Sequence, residues 1–195
     1  ADTERAATAA RALLLSGCDG LMSFGMAGGL DPGLAPGSVV LARHIIGETG
    51  EVLPVDPAWH QRLCALLAGG FEVAGGAIVG SGDMIDGVAA KVALHESMAA
   101  IAVDMESAAI ARVARDARVP FAALRVVCDG PGQRIPACLE GAVDAYGHVI
   151  FARLGIGVAL RPWELFELIR LGVSTTNAER VLEQALRSVL VQWHY

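Results

Sequence analysis

The sequence has little of what several classes of protein require. Its 195 residues contain four cysteines, which lie far apart without a CxxC pair, so neither a disulfide framework nor a zinc site is predicted. We expect reduced thiols and a cytoplasmic protein. Lys and Arg total 15 against 21 acidic residues, and the basic residues are scattered. A net charge of −6 without a basic cluster argues against nucleic acid as a partner.

Long apolar runs and metal-ligand clusters are also missing. No uninterrupted apolar stretch reaches about 18 residues, and no charged-then-apolar leader opens the chain, so we expect a soluble protein without stable membrane insertion. The histidines are spread too widely to suggest a metal site. They are His44, His60, His95, His148 and His194.

What the sequence does have is an apolar, glycine-rich composition, with 54% hydrophobic residues and 23 glycines, typical of a folded domain. Strand patterns at 20–24, 38–48, 76–83 and 119–130 alternate with helical patterns. Asp56 and Pro57 mark the start of one helix, as its N-cap and its first residue. This alternation predicts an α/β fold, a three-layer α/β/α sandwich in a single domain over residues 1–195.

The C-terminal segment, 160–195, is predicted to be a helical tail. Pro162 near the start and Gly172 at the end delimit one helix. Thr176 and Glu179 then form a capping box for a separate last helix. We therefore expect two helices in this tail.

The stretch AVDMESAAIARVA, 102–114, contains an acidic pair where the hydrophobic period changes. Apolar residues run up to Asp104 as in a buried strand, and a helical period follows Glu106. Glu106 therefore lies at the carboxyl end of a strand, where open α/β sheets bind ligands. Its carboxylate could bind two sugar hydroxyls or simply complement the helix dipole, and the local sequence leaves both readings open.

Four candidate strands end in polar or glycine-rich turns: SFGMAGG, GSGDMID, VDMES and VVCDG. If these strands are neighbours, their turns form one cleft. The first turn could direct backbone N–H groups at an anion. It comprises Gly25, Met26, Ala27, Gly28 and Gly29. It is neither a GxGxxG nor a Walker motif, so no dinucleotide or ATP cofactor is predicted.

The other strand ends offer an acid and an apolar slot. Asp129 follows a buried strand, where a carboxyl group could hold a proton near neutral pH, although it could equally cap the next turn. Met84, Ile85 and Met105 could line a flat apolar slot or be ordinary core residues.

These motifs, in this order and spacing, resemble those of the nucleoside phosphorylase superfamily, which includes purine nucleoside phosphorylases, uridine phosphorylases and methylthioadenosine/S-adenosylhomocysteine nucleosidases. FGMAGGLDPGLAPGSVVLA, SGDMI, VDMESAAIARVA and PFAALRVVCDG carry the resemblance, which covers residues from about 5 to 150. The FG-x-x-GGLDP form of the turn looks most like the hopanoid-associated branch, which acts on adenosylhopane. The resemblance implies a mixed central sheet and a homo-oligomer, at least a dimer.

The resemblance also implies roles for single residues. Asp129 matches the acid that protonates the purine ring, and Glu106 matches the carboxylate that binds the ribose 2′- and 3′-hydroxyls. Met105 would pack beneath the sugar, and Met84 with Ile85 would stack on the base. The segment 25–29 matches the turn beside the phosphate or the attacking water.

The implied activity is release of adenine from a 5′-modified adenosine, with adenosylhopane cleaved by phosphorolysis and inorganic phosphate as co-substrate. The alternatives are a methylthioadenosine/S-adenosylhomocysteine nucleosidase that uses water and a non-catalytic nucleoside-binding protein. Met26 stands where many relatives have Ser or Thr, which leaves the acceptor open. The resemblance implies a strand before the first helix, and we expect this sequence to lack it. For a lipid-linked substrate, apolar residues of the tail could form an exit or could instead form a dimer interface or core. They are Trp163, Leu165, Phe166, Ile169 and Trp193.

Overall fold

The structure, a computed structural model, describes residues 2–139, 142 and 150–193. Its strands are β1 (Leu21–Gly29), β2 (Val39–Ile46), β3 (Val52–Pro54), β4 (Val73–Gly80), β5 (Ala100–Asp104) and β6 (Phe121–Asp129). Its helices are α1 (Asp2–Leu15), α2 (Pro57–Leu67), α3 (Val88–Met98), α4 (Ser107–Ala117), α5 (Phe151–Leu160) and α6 (Leu165–Trp193). Short 3-10 turns span Ala137–Leu139 and Pro162–Glu164.

The six strands form one mixed sheet in the order β3-β2-β4-β5-β1-β6. β1 and β6 are parallel, as are β2, β4 and β5, whereas β1 and β5 are antiparallel. β2 also pairs with β6, from Val39 opposite Val126 to Leu41 opposite Leu124, so five of the strands close into a ring. The predicted α/β class with a mixed central sheet is confirmed, and the closure is a feature that the sequence pattern did not indicate.

Helices cover the sheet on two sides. α1 and α4 contribute Ala10, Ala108 and Ala111 to one core cluster, together with residues of β1, β2 and β6. α2 and α6 contribute Leu63 and Ala185 to a second cluster against β2 and β6. The small side chains let the helices approach the sheet closely, and burial of this apolar surface is the main favourable term in folding.

Most predicted elements form where their sequence signals lie. The carboxylate of Asp56 accepts a hydrogen bond from the backbone N–H of Trp59 at 2.8 Å, and Pro57 begins α2. The first helix ends at Leu15, and Gly17 follows with a φ of +97°, a left-handed conformation that favours glycine. Local capping chemistry was sufficient to predict the start of α2.

Two predictions were wrong. The segment Gly25 to Gly29 is not a turn, because it continues β1 and pairs with β6 and β5. The tail does not break at Gly172, since α6 runs on without interruption, and the hydroxyl of Thr176 donates to the Gly172 carbonyl at 2.9 Å rather than capping a new helix. The packing of Ala178 and Ala185 against the sheet outweighs the cost of about 1 kcal/mol for one helical glycine.

Within the described part of the chain, no helix combines the length and the apolar character needed to cross a membrane.

Candidate active site

The carboxyl ends of four strands meet at one cleft. β4 and β5 end side by side, with Gly80 opposite Asp104, and β1 crosses the end of β5 where Gly28 pairs with Val103. β6 ends beside β1 at Asp129. The cleft has a volume of about 210 Å³. It is lined by Met26, Ala27, Gly28, Asp83, Met84, Ile85, Val103, Asp104, Met105, Glu106, Cys128, Asp129 and Ile135.

Most of the predicted site residues are therefore brought together. The lining includes all the residues assigned to the acid, the ribose and the base, and three of the five assigned to the phosphate or water. Gly25 and Gly29 are not on the cleft. A Cβ at Gly25 would collide with the guanidinium of Arg125, and Gly29 pairs with Ala102 of β5. Because this segment is strand, the predicted nest of free N–H groups does not form there.

Asp104 is the buried counter-ion of Arg125. The guanidinium donates from Nε to the Asp104 carboxylate, and from Nη2 to the hydroxyls of Ser23 at 2.7 Å and Ser107 at 2.9 Å. The backbone N–H of Ser107 donates to Asp104 at 3.0 Å. All four side chains are buried, so every charge and hydroxyl of the network has a partner away from water. Asp104 therefore stabilises the fold at the rim of the cleft.

Glu106 differs from its acidic neighbour. Its side chain is 38% exposed, and Oε2 lies 3.7 Å from Nη2 of Arg125. Glu106 occupies the N-cap position of α4 without a side-chain capping hydrogen bond, whereas Asp104 accepts the N–H of Ser107. Asp104 therefore supplies the side-chain hydrogen bond to the start of α4, and Glu106 at the N-cap remains placed to complement the helix dipole. The Glu106 carboxylate faces the cleft, with capacity to accept hydrogen bonds from a ligand.

The apolar part of the cleft comes from the predicted slot residues. Met105 follows β5, and Met84 and Ile85 lie between β4 and α3. Met84 is exposed, whereas Ile85 also packs against a buried cluster beneath the cleft. The hydroxyl of Thr3 in α1 donates to the Met105 carbonyl at 3.1 Å, so the first helix lies against this rim.

Asp129 is 4% exposed and forms an ion pair with Lys91 of α3, whose side chain is fully buried. The ammonium also donates to the carbonyl oxygens of Gly130 at 3.0 Å and Gln133 at 2.9 Å. The thiol of Cys128 donates to the other carboxylate oxygen of Asp129 at 3.1 Å. These side-chain partners, rather than the backbone of the next turn, hold the Asp129 carboxylate.

Cys128 is held as a protonated thiol rather than as a nucleophilic thiolate. Burial, followed by the negative charge of Asp129, raises the pKa of Cys128 to about 12. Because the thiolate is the reactive form, the side chain is unreactive near neutral pH. Its role at the cleft is to donate a hydrogen bond.

The charged side chains identified in the lining of the cleft are acids, and two of them are paired with buried cations, Asp104 with Arg125 and Asp129 with Lys91. Four lining residues are carboxylic acids, and none of those identified is Lys or Arg. They are Asp83, Asp104, Glu106 and Asp129. Within the ranges that the structure describes, no group of three or more His, Cys, Asp or Glu side chains is arranged to hold a metal ion.

The sequence reasoning missed Lys91 and Arg125 as site residues. Arg125 could have been identified from the sequence, since it is the one charged residue within the strand that leads to Asp129. The local sequence around Lys91 did not indicate a site residue, because a lysine in a short alanine-rich helix is ordinarily a solvated surface residue. Only the tertiary structure shows that it is buried against the acid.

Comparisons with known proteins agree with this architecture. A family model described as the phosphorylase superfamily matches residues 3–145. A search of curated protein sequences found no match. One similar solved structure is an S-adenosylhomocysteine nucleosidase from Streptococcus pyogenes in complex with 5-methylthiotubericidin, with 22% identity and a TM-score of 0.62. That match covers 65% of this chain and 62% of the Streptococcus chain, so this chain spans less than two thirds of it.

Two structures from Helicobacter pylori match over more of the chain. A mutant 5′-methylthioadenosine/S-adenosylhomocysteine nucleosidase with 5′-methylthioadenosine in its active site is 15% identical, with a TM-score of 0.66, over 95% of this chain and 76% of that one. A futalosine hydrolase is also 15% identical, with a TM-score of 0.65, over 95% and 75%. At these identities the likeness shows the fold alone.

Proposed function

Since the chain belongs to the phosphorylase superfamily, we propose that it cleaves the N-glycosidic bond of a purine nucleoside at the cleft where the four strand ends meet. One observation carries the proposal: Glu106 and Asp129, which are 23 positions apart in the sequence, line the same cleft together with the apolar side chains of Met84, Ile85 and Met105. A nucleoside needs this combination, because it has a flat apolar base and a sugar with two adjacent hydroxyls.

The chemistry assigns a task to each carboxyl group. Breaking the bond between base and ribose leaves electrons on the base and positive charge on the sugar. A proton delivered through Asp129 to the base ring would neutralise the leaving group, and general acid catalysis typically contributes about 10²- to 10⁴-fold. The Glu106 carboxylate would hold the ribose hydroxyls and so fix the sugar in the geometry of the oxocarbenium-like state.

The electrostatics of the cleft support water as the acceptor. Phosphate sites provide cationic side chains or free backbone N–H groups. Here the identified lining residues include four acids and no Lys or Arg, and the segment 25–29 is paired as strand. Met26, which lines the cleft, offers no hydroxyl. Because Arg125 and Lys91 neutralise Asp104 and Asp129, the identified lining disfavours phosphate through its lack of anion-binding donors rather than through repulsion, whereas a water molecule needs no such donors.

The finer substrate proposal is a 5′-modified adenosine, and adenosylhopane is the candidate that the sequence motifs support. Three of the apolar tail residues considered as a lipid exit, Trp163, Phe166 and Ile169, are strongly exposed, and none of them lines the cleft. The side chain of Trp193 lies outside the described structure. The support for a lipid-linked substrate therefore rests on the motifs rather than on the geometry of the cleft.

Chromatographic detection of the released base tests the proposal, with adenine expected from adenosylhopane and methylthioadenosine and hypoxanthine from inosine. The protein is incubated with adenosylhopane, methylthioadenosine or inosine, with and without phosphate, beside an Asp129→Asn control. We expect adenine release without phosphate and a loss of about 100-fold or more in the variant. Release that requires phosphate would make the protein a phosphorylase. Binding of nucleosides without release of any base would overturn the enzymatic proposal and leave a nucleoside-binding protein.

A further inference from the structure

A fully buried lysine is the least expected charge in this structure. Lys91 has no exposed surface, and its ammonium has three hydrogen-bond acceptors: Asp129 and the carbonyls of Gly130 and Gln133. An ammonium has three protons, so all of its donors are used. Buried lysines are rare because removal of the charge from water is costly unless it is paired.

The position of this ammonium changes what Asp129 can do. A buried carboxyl group alone would tend to keep its proton, but a contacting ammonium favours the carboxylate. In the ion pair that the structure shows, the proton that a general acid must deliver belongs to the Lys91 ammonium rather than to Asp129. Among the residues that the structure describes, the side-chain donors in contact with it are Lys91 and Cys128. The thiol is a poor source, since the pKa of Cys128 is raised to about 12.

We propose that Lys91 is the proton source for Asp129, so that the two side chains deliver one proton to the leaving base as a pair. This inference rests on the proposed function. Lys91 does not line the cleft, so it acts through Asp129. It is a positioning residue that also supplies the proton. Exclusion of water lowers the cost of converting the ion pair to a neutral amine and carboxylic acid, because buried charges lose their hydration.

The proposed step balances as follows. The bond between the ribose carbon and the base nitrogen breaks, and its electron pair stays on the base. The base takes a proton from Asp129, which takes one from Lys91, so the ammonium becomes a neutral amine and Asp129 is again a carboxylate. A water oxygen bonds to the ribose carbon and releases its proton to solvent. After the base departs, solvent returns a proton to Lys91 through Asp129, which reaches the cleft.

Other titratable groups share this environment. Cys128 contacts Asp129, and the carboxyl groups of Asp83, Asp104 and Glu106 line the same cleft. Arg125 is paired with Asp104 rather than with Asp129. Since the neighbouring acids are common to the wild type and to variants of Lys91, a difference in pH profile between these proteins reports on the lysine.

The test compares adenine release by the wild type, Lys91→Met and Lys91→Arg from about pH 5 to pH 10, with kcat and KM measured separately. In Lys91→Met the carboxyl group of Asp129 has no ammonium beside it to resupply a proton. We expect it to lose its proton at a lower pH than the pH at which the wild-type Lys91–Asp129 pair loses the proton that the two groups share. We therefore expect the alkaline fall in kcat/KM to move to lower pH by about one unit or more. Lys91→Arg keeps the charge but cannot release a proton, so we expect kcat to fall by about 100-fold with little change in KM.

Two outcomes would overturn the inference. Wild-type kcat in Lys91→Arg would show that the charge alone is needed. A Lys91→Met profile lowered at every pH without a shift would show that the lysine only holds the loop after β6. Circular dichroism of each variant establishes that it is folded before kinetics are compared.

A measurement that does not require substrate turnover tests the role of Lys91 independently of the proposed function. Infrared spectroscopy across the same pH range detects a protonated carboxyl group, and Asp129→Asn in the same background assigns the band. We expect a titrating band in Lys91→Met that is absent from the wild type at neutral pH. If no substrate is cleaved, the proposed function fails. Independently of that result, absence of this band in Lys91→Met would overturn the coupling of Lys91 to Asp129.

Discussion

Asp104 and Glu106 are two positions apart in the sequence, yet their surroundings differ at the residue scale. Asp104 is enclosed by Arg125, Ser23 and Ser107, whereas Glu106 is partly exposed on the cleft. Residues two positions apart in a strand point to the same face, but β5 ends at Asp104, and Glu106 already has a helical backbone conformation at the N-cap of α4, so the two side chains meet different partners. The acidic pair is thus one structural residue and one residue proposed to bind the sugar.

Glu106→Gln tests this division. Loss of the charged acceptor for the ribose hydroxyls should lower kcat/KM by about 10- to 100-fold, because hydrogen bonds to charged groups contribute about 1.5–3 kcal/mol. Steady-state adenine release measures the effect. Glu96→Gln, an exposed change on α3, is the matched control. A 2′-deoxy substrate should show a smaller penalty, and an equal penalty on both substrates would contradict contact with that hydroxyl.

Cys128 gives a prediction about pH. Its pKa is about 12 in the fold against an ordinary value of 9.0, so between these values the unfolded chain loses the proton while the folded chain keeps it. The contribution to stability is complete below pH 9 and is lost as pH rises toward 12, with a slope of up to about 1.4 kcal/mol per pH unit.

Urea unfolding of the wild type and Cys128→Ala at several pH values from about 8 to 11 measures this slope. The variant should lose less stability with rising pH than the wild type. Cys18→Ala removes an exposed thiol and should leave the slope unchanged. Parallel slopes for the wild type and Cys128→Ala would show that the buried thiol is not the group responsible.

At the scale of elements, the long helix α6 shows how packing overrides local signals for the end of a helix. A glycine and a capping-box pattern predicted a break, but the buried stripe of Ala178, Ala185 and Val189 keeps one helix along the sheet. A single glycine costs about 1 kcal/mol, which is less than burial of even a few apolar side chains contributes.

Gly172→Ala tests the continuity of this helix. Apart from the chain neighbours and the backbone of α6 itself, no atom of the described residues lies within 4 Å of the added methyl position, so the substitution should stabilise the protein by about 0.5–1 kcal/mol in urea unfolding. Gly17→Ala is the contrasting control, because its φ of +97° strains an alanine and should destabilise. Destabilisation by Gly172→Ala would instead indicate a left-handed helix end at that position.

At the scale of the whole molecule, the cleft depends on the order and curvature of the strands. β1 pairs with β6 along its length and crosses the end of β5, while β2 pairs with β6 on the other side. This arrangement brings the ends of four strands to one rim. The helices on both faces leave that rim open, and so the site residues come from separate parts of the chain.

Three expectations about the whole molecule stay predictions: a homo-oligomer, a cytoplasmic location and a lipid-linked substrate. The tail presents several exposed apolar side chains, and sedimentation of the purified protein would show whether copies associate. These side chains are Leu160, Trp163, Leu165, Phe166, Ile169, Val173, Leu190 and Val191.

The sequence alone determined what depends on local chemistry. The alternation of patterns predicted the α/β class, Asp56 with Pro57 predicted the start of α2, and the polar ends of four strands predicted which segments would meet. These features depend on period, capping and turn preference, which act within a few residues.

Only the tertiary structure decided which groups became partners. The glycine-rich segment became strand because β5 and β6 were available to pair with it, and α6 stayed whole because the sheet buried one of its faces. Lys91 reached Asp129 across 38 positions of sequence. Contacts over such separations depend on chain topology, because burial and pairing are properties of neighbours in space.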